Sequence, residues 1–165
     1  MHMSNSIDRK KFITLSLLGS AGAFVSNNVI AQQTKPDPID KELVKQFVIA
    51  GHNDLEKVKL LLQQQPGLLN ACWDWGGGDF ETALEGAGHM GRKDIAIYLL
   101  NNGARMNIFC AAMLGRIDIV KTTLAAFPEL KTSKGPHGLQ LLHHAKKGGD
   151  DAVAVLEYLN SIGAA

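Results

Sequence analysis

Cysteine is scarce in this chain: Cys72 and Cys110 are the only two among 165 residues. That count excludes a disulfide-dense small scaffold and a four-cysteine zinc ribbon. Charge imbalance is lacking as well. Seventeen Lys+Arg stand against 16 Asp+Glu, a formal net charge of +1, so no basic excess argues for a nucleic-acid partner. No apolar run reaches the roughly 18 residues that a membrane-spanning helix needs. From Gln32 onward no segment alternates cleanly with period two, so no strand is predicted. The 17 glycines follow no Gly-X-Y period, which removes collagen. What is present is 45% apolar content, enough for a folded globule and too much for wholesale disorder.

The N-terminal segment reads as a leader. Arg9, Lys10 and Lys11 precede a mostly apolar run from Phe12 to Val25, and Ser26, Asn27 and Asn28 end it. Val29-Ile30-Ala31 then offers a small-residue cleavage pattern before Gln32, so residues 1–31 are expected to be a signal peptide. An uncleaved amphipathic anchor is the competing reading. Asp8-Arg9-Lys10-Lys11-Phe12-Ile13 resembles a twin-arginine export motif with Lys in place of the second Arg, so both export routes stay open. Loss of Arg9, Lys10, Lys11 and Asp8 leaves 14 basic and 15 acidic residues, a net charge of −1. The expected product is a nearly neutral, periplasmic or otherwise exported globule, not stably inserted in a membrane. Residues 32–39 read as a linker and 40–165 as the domain.

Within that domain one pattern recurs. Gly51-His52-Asn53-Asp54, Gly91-Arg92-Lys93-Asp94, Gly115-Arg116-Ile117-Asp118 and Gly148-Gly149-Asp150-Asp151 each precede an apolar run at helical spacing. The Asp supplies a helix N-cap or a first-turn acid, and the Gly permits the turn before it. The runs comprise Leu55, Val58, Leu61 and Leu62; Ile95, Tyr98 and Leu99; Ile119, Val120, Thr123 and Leu124; and Val155, Leu156 and Leu159. Pro66-Gly67, Gly103, Pro128 and Gly163 stop them.

These residues carry a resemblance to ankyrin repeats. Asn102-Gly103-Ala104-Arg105-Met106-Asn107 resembles the family's loop after the second helix. Thr82-Ala83-Leu84-Glu85 sits where the family's Thr-Pro-Leu-His opens the first helix, and Gln140-Leu141-Leu142-His143-His144-Ala145 resembles the same motif. Thr82 with Glu85 also forms a capping-box pattern. The resemblance implies an all-α ankyrin-repeat solenoid of about four helix-turn-helix repeats (about 40–71, 72–106, 107–131 and 132–165). Small residues on the inner helices (Ala87, Gly88, Ala111, Ala112, Ala145) then allow close packing.

Spacing between the markers is uneven. Asp54 to Asp94 spans 40 residues, Asp94 to Asp118 spans 24 and Asp118 to Asp151 spans 33. Against a period near 33, the first interval carries about seven extra residues and the second lacks about nine. One inter-repeat finger is therefore enlarged and the next is shortened. The extra stretch is Trp73-Asp74-Trp75-Gly76-Gly77-Gly78-Asp79-Phe80, expected to fold over the place of the missing finger and touch residues 105–115. This loop, with Gly135-Pro136-His137-Gly138, resembles exported bacterial ankyrin proteins.

The loop is the candidate site. Trp73, Asp74, Trp75, Asp79, Glu81 and His137 are the partner-binding candidates, with the acids as a negative rim and His137 exposed at a finger tip. Aromatic residues dominate binding hot spots. They also make small satellite cores, the reading favoured for Trp73 and Phe80, while Trp75 stays open between the two. No Lys-Ser/Thr follows the glycines, so a phosphate cradle is not expected, and the acids lack a calcium loop's spacing.

No metal ligands are assigned. Adjacent His143 and His144 diverge by about 100° on a helix and no helical pair at spacing three or four occurs. His143 reads as the hydrogen-bonding histidine that ankyrin repeats place at a helix start, whereas His52 and His89 read as solvated. Cys72 and Cys110 are expected to be buried thiols, and a disulfide between them stays open. No catalytic residue or cofactor is expected. The function expected is a non-enzymatic, monomeric module that binds another protein in the bacterial cell envelope. The alternative is a small-ligand protein or enzyme with a pocket under the Trp73–Phe80 loop.

Overall fold

The computed structural model describes residues 35–164. The expected leader, 1–31, and the first residues of the expected linker lie outside the described residues. A compact unit begins at Asp37, and it is mostly helical. Its α-helices are α1 (Lys41–Gly51), α2 (Leu55–Gln64), α3 (Ala83–Met90), α4 (Lys93–Asn101), α5 (Ile108–Met113), α6 (Ile117–Ala126), α7 (Leu141–Gly148) and α8 (Val153–Ser161). Short 3₁₀ turns at Pro66–Asn70, Pro128–Thr132 and Pro136–Gly138 occupy the longer connections. Among the described residues, no helix is long and apolar enough to cross a membrane.

Side-chain oxygens start several helices by accepting hydrogen bonds from free backbone amides. The Asp40 carboxylate accepts from the amides of Glu42 (2.9 Å) and Leu43 (3.0 Å). Asp54 accepts from Lys57 (2.9 Å) and Asn107 from Cys110 (2.8 Å). Thr82 and Glu85 form the expected capping box at α3, with the Thr82 amide donating to Glu85 Oε2 at 2.8 Å. The recurrent Asp plays two roles. Asp54 caps α2, whereas Asp94 and Asp118 lie in the first turns of α4 and α6, which have no side-chain cap bond.

Each inner helix packs on the next, α1 on α3, α3 on α5 and α5 on α7; each also packs on the helix that follows it. One apolar cluster includes Phe47, Val48, Val58, Leu84, Ile95 and Leu99, and a second includes Ala111, Val120, Leu141, Val155 and Leu159. Ala87, Gly88, Ala111, Ala112 and Ala145 are all buried, as expected for close neighbours. The recurrent Gly has a function beyond its turn. A Cβ at Gly51 would strike the backbone of Ala83, and one at Gly115 (φ 69°) would strike that of Asp151. These glycines let successive helix pairs approach.

Two features depart from the sequence reading. Ile119 is exposed while Val120 and Leu124 are buried, so the apolar face of α6 turns by one position. More consequentially, the Trp/Gly stretch is an antiparallel hairpin, β1 (Cys72–Asp74) with β2 (Phe80–Thr82), where no strand was predicted. Gly76, Gly77 and Gly78 all take positive φ at its tip, and Asp74 Oδ1 accepts from the amides of Gly76 (2.8 Å) and Gly78 (3.3 Å). Three residues per strand are too few to show period two in a sequence.

A buried glutamate among three histidines

Alternation in the hairpin decides which of its side chains face the helices. Register pairs Cys72 with Thr82, Trp73 with Glu81 and Asp74 with Phe80. Trp73 and Glu81 therefore share the inward face, while Cys72, Asp74 and Phe80 point out. Trp73 packs on the first apolar cluster, with the Lys45 ammonium 5.4 Å from its ring centroid. Three expectations change for this one reason. Glu81 is not on a negative rim but fully buried, Phe80 is 56% exposed instead of structural filling, and Cys72 is exposed.

Glu81 lies in a ring of polar groups drawn from four parts of the chain. His52 follows α1, Glu81 is in β2, His89 ends α3 and His137 is in the Pro136–Gly138 turn. One potential ligand atom from each lies within 4.8 Å of all the others. His52 Nε2 is 3.4 Å from Glu81 Oε2; His89 Nδ1 and His137 Nε2 are 3.1 and 3.5 Å from Glu81 Oε1. The Trp75 indole N–H donates to Glu81 Oε2 at 2.8 Å. His89 is buried, against the expectation of a solvated surface position, and His52 is half-buried. Helical spacing reveals ligand pairs only on one helix, and these residues come from four separate elements.

The partners of each imidazole fix its tautomer. His52 Nδ1 lies 3.0 Å from the Val48 carbonyl, which only accepts, so Nδ1 carries the proton. His137 Nδ1 faces Asp79 Oδ2 at 2.9 Å and is protonated for the same reason. In their neutral forms both rings consequently aim bare Nε2 lone pairs at a carboxylate. Glu81 Oε1 and His89 Nδ1 lack any partner with hydrogen-bond geometry despite their 3.1 Å separation. Burial pushes the Glu81 carboxyl up, but His89, His52 and Trp75 more than offset it, and the net displacement is below the ordinary glutamate value. Glu81 is held as a buried anion.

Asp79 ties the hairpin to the distant turn. Its carboxylate accepts from the His137 amide (2.8 Å) and from Nδ1 of the same residue. These bonds, the backbone one first, hold the Asp79 carboxyl below its ordinary range. His137 is non-glycine with φ 58°, a left-handed conformation that costs energy and that this bidentate grip helps retain. The hairpin thus reaches across to the Pro136–Gly138 turn. Gly78, Asp79 and Phe80 share an open cavity of about 250 Å³ with Phe109, Lys134 and Pro136. Asn107 Nδ2 also donates to Glu85 Oε1 at 2.9 Å.

The remaining candidates are quickly placed. Asp74 caps the hairpin tip, and Trp75 is 38% exposed, its indole nitrogen turned inward. His143 is near His89, with Nε2 donating to the His89 carbonyl at 3.0 Å. Cys72 and Cys110 are both free thiols, and burial pushes Cys110 up to about 12, far from any nucleophilic use. A scan against protein families finds no match for this chain, and neither curated proteins nor solved structures give one.

Proposed function

We propose that this chain is a non-catalytic protein-interaction module of ankyrin-repeat type, exported to the periplasm, that binds another protein as a monomer. The succession of packed helix pairs, the Thr82–Glu85 capping box and the close-approach glycines support the repeat reading. One observation carries the interaction reading: the Asp79–His137 clasp joins residues 58 positions apart into one face. Around that clasp the hairpin exposes two aromatics, Phe80 at 56% and Trp75 at 38%. Aromatic side chains on a preorganised support make effective anchors, because little ordering remains to be done on binding. Asp79 and His137 belong to this face; Trp73 and Glu81, turned inward, act only as its support. Extended surfaces of this kind are the usual working face of repeat proteins.

A photo-crosslinking amino acid placed at Phe80, and separately at exposed Ile97 on α4, tests the reading in envelope extract. A discrete adduct from position 80 and none from 97 is the expected result. Adducts from 97 alone would place the working surface elsewhere. The second reading is a small ligand held beneath the hairpin, and the unpartnered Glu81 Oε1 is the observation that favours it.

A further inference from the structure

We propose that His52, Glu81, His89 and His137 form a binding site for one divalent first-row transition-metal ion, with Zn²⁺ the best fit. This goes beyond partner recognition and stands whether or not a protein docks on the hairpin.

Geometry comes first. Zinc bonds of roughly 2.1 Å to nitrogen and oxygen set neighbouring ligands of a tetrahedron about 3.4 Å apart. The three separations from Glu81 to the imidazole nitrogens are 3.1, 3.4 and 3.5 Å. A lone carboxylate–imidazole hydrogen bond would be shorter and aligned, commonly 2.7–2.9 Å or so when charge-assisted. These distances run to both carboxylate oxygens, and one ligand atom from each of the four residues lies within 4.8 Å of the others, so a modest inward shift brings the set around a common centre.

Donor chemistry points the same way. Two imidazoles have their Nδ1 protons committed, to the Val48 carbonyl and the Asp79 carboxylate, which leaves Nε2 free to ligate. Metal-bound histidines are usually oriented by such an outer partner, carboxylate or carbonyl. His143 adds a bond to the His89 carbonyl, steadying the residue whose own Nδ1 has no partner. Glu81, fully buried, divides its oxygens: Oε2 takes the Trp75 N–H and Oε1 stays unpartnered.

Acceptors facing acceptors repel unless something positive lies between them. Protons could supply it, but three imidazolium rings against the Glu81 and Asp79 carboxylates would leave one positive charge in excess. The ring centroids of His89 lie only 4.8 Å from His52 and 5.2 Å from His137, so that repulsion would be strong. A single divalent ion balances the two carboxylates and meets every lone pair. Three imidazoles with one carboxylate suit zinc and its neighbours; magnesium and calcium prefer oxygen-only sets. His137 and Trp75, both partly exposed, are the side from which an ion would enter.

The test uses the full chain, stripped with a chelator and then titrated with Zn²⁺ by calorimetry and with Co²⁺ by visible absorption. One equivalent of each ion should bind, with the strong visible bands of four- or five-coordinate cobalt. Asp79→Asn should weaken binding by about 10–100-fold through loss of the outer partner, and His137→Ala by more. Cys72→Ser should bind as the parent does. Because Glu81 is buried, the His137 variant is the primary probe, with circular dichroism verifying its fold. A folded chain that takes up no stoichiometric ion overturns the proposal. So does one equivalent bound undiminished in His137→Ala and His52→Ala, or lost in Cys72→Ser.

Discussion

The helical rows and the hairpin side treat buried polar groups in opposite ways. Among the helices a buried histidine is matched: His144 Nδ1 donates to the Gln140 carbonyl at 2.9 Å, and burial keeps the ring neutral down to about 4. Under the hairpin, His89 and Glu81 are just as buried, close together and unsatisfied. Leaving such a donor or acceptor unpaired costs about 1–3 kcal/mol. A chain that satisfies His144 and caps its helices with Asp40, Asp54, Thr82 and Asn107 does not lack polar partners in general. That contrast is what the proposed ion site accounts for, since local rules are commonly broken at functional sites.

Several substitutions break or sharpen that contrast. Leu99→Ala, in the fully buried centre of α4, should lower stability by about 2–5 kcal/mol, read as a fall in denaturation midpoint. An unchanged midpoint would remove α4 from the packed core. Acid should act through His144 next. Its folded form resists protonation to about 4, while the unfolded chain takes up the proton near the ordinary imidazole value of 6.5. Stability contributed by the neutral ring is therefore present above 6.5 and lost as pH falls toward 4. The loss approaches about 3 kcal/mol at about 1.4 kcal/mol per unit. Urea titrations at stepped pH should show this slope flattened in His144→Gln. Trp75→Ala removes the indole bond to Glu81 and half a ring of burial, about 1–2 kcal/mol, or several degrees in Tm. The same preparation should lose partner affinity by about 1–2 kcal/mol; undiminished capture per folded molecule would leave Trp75 structural only. Thr82→Ala should cost least, about 1 kcal/mol, through the lost α3 cap.

Much of the helical part was legible because its signals are local. Asp54 before Leu55, Thr82 before Glu85 and the apolar spacing Ile95–Leu99 all act within one or two turns. His143 was placed as a hydrogen-bonding residue by the ankyrin resemblance, and its partner, the His89 carbonyl, lies 54 positions away. The hairpin was not legible: Cys72–Asp74 and Phe80–Thr82 are three residues each, and alternation over three residues carries little signal. Missing it put Glu81 on a rim and made Phe80 and Cys72 interior. His52 and His89 were missed because their neighbours in space lie far along the chain, with His137 58 positions beyond Asp79. The one available cue was Glu81 between Phe80 and Thr82, an acid whose flanking residues both favour strands.

The central claim is that Glu81 is arranged for an ion and not for the stability of the empty fold. Thermal unfolding of the parent and Glu81→Gln at about pH 8, with and without saturating Zn²⁺, tests it directly. A Gln amide whose oxygen keeps the Trp75 bond places its NH2 where Oε1 stands, able to donate to the His137 Nε2 lone pair. The account predicts that without zinc Glu81→Gln melts at the same temperature as the parent or higher. With zinc at about 100 times its Kd the parent should gain roughly 2.7 kcal/mol, several degrees in Tm, and the variant little. A variant that melts well below the parent without metal, or a parent indifferent to zinc, would contradict the account and make Glu81 a structural anion.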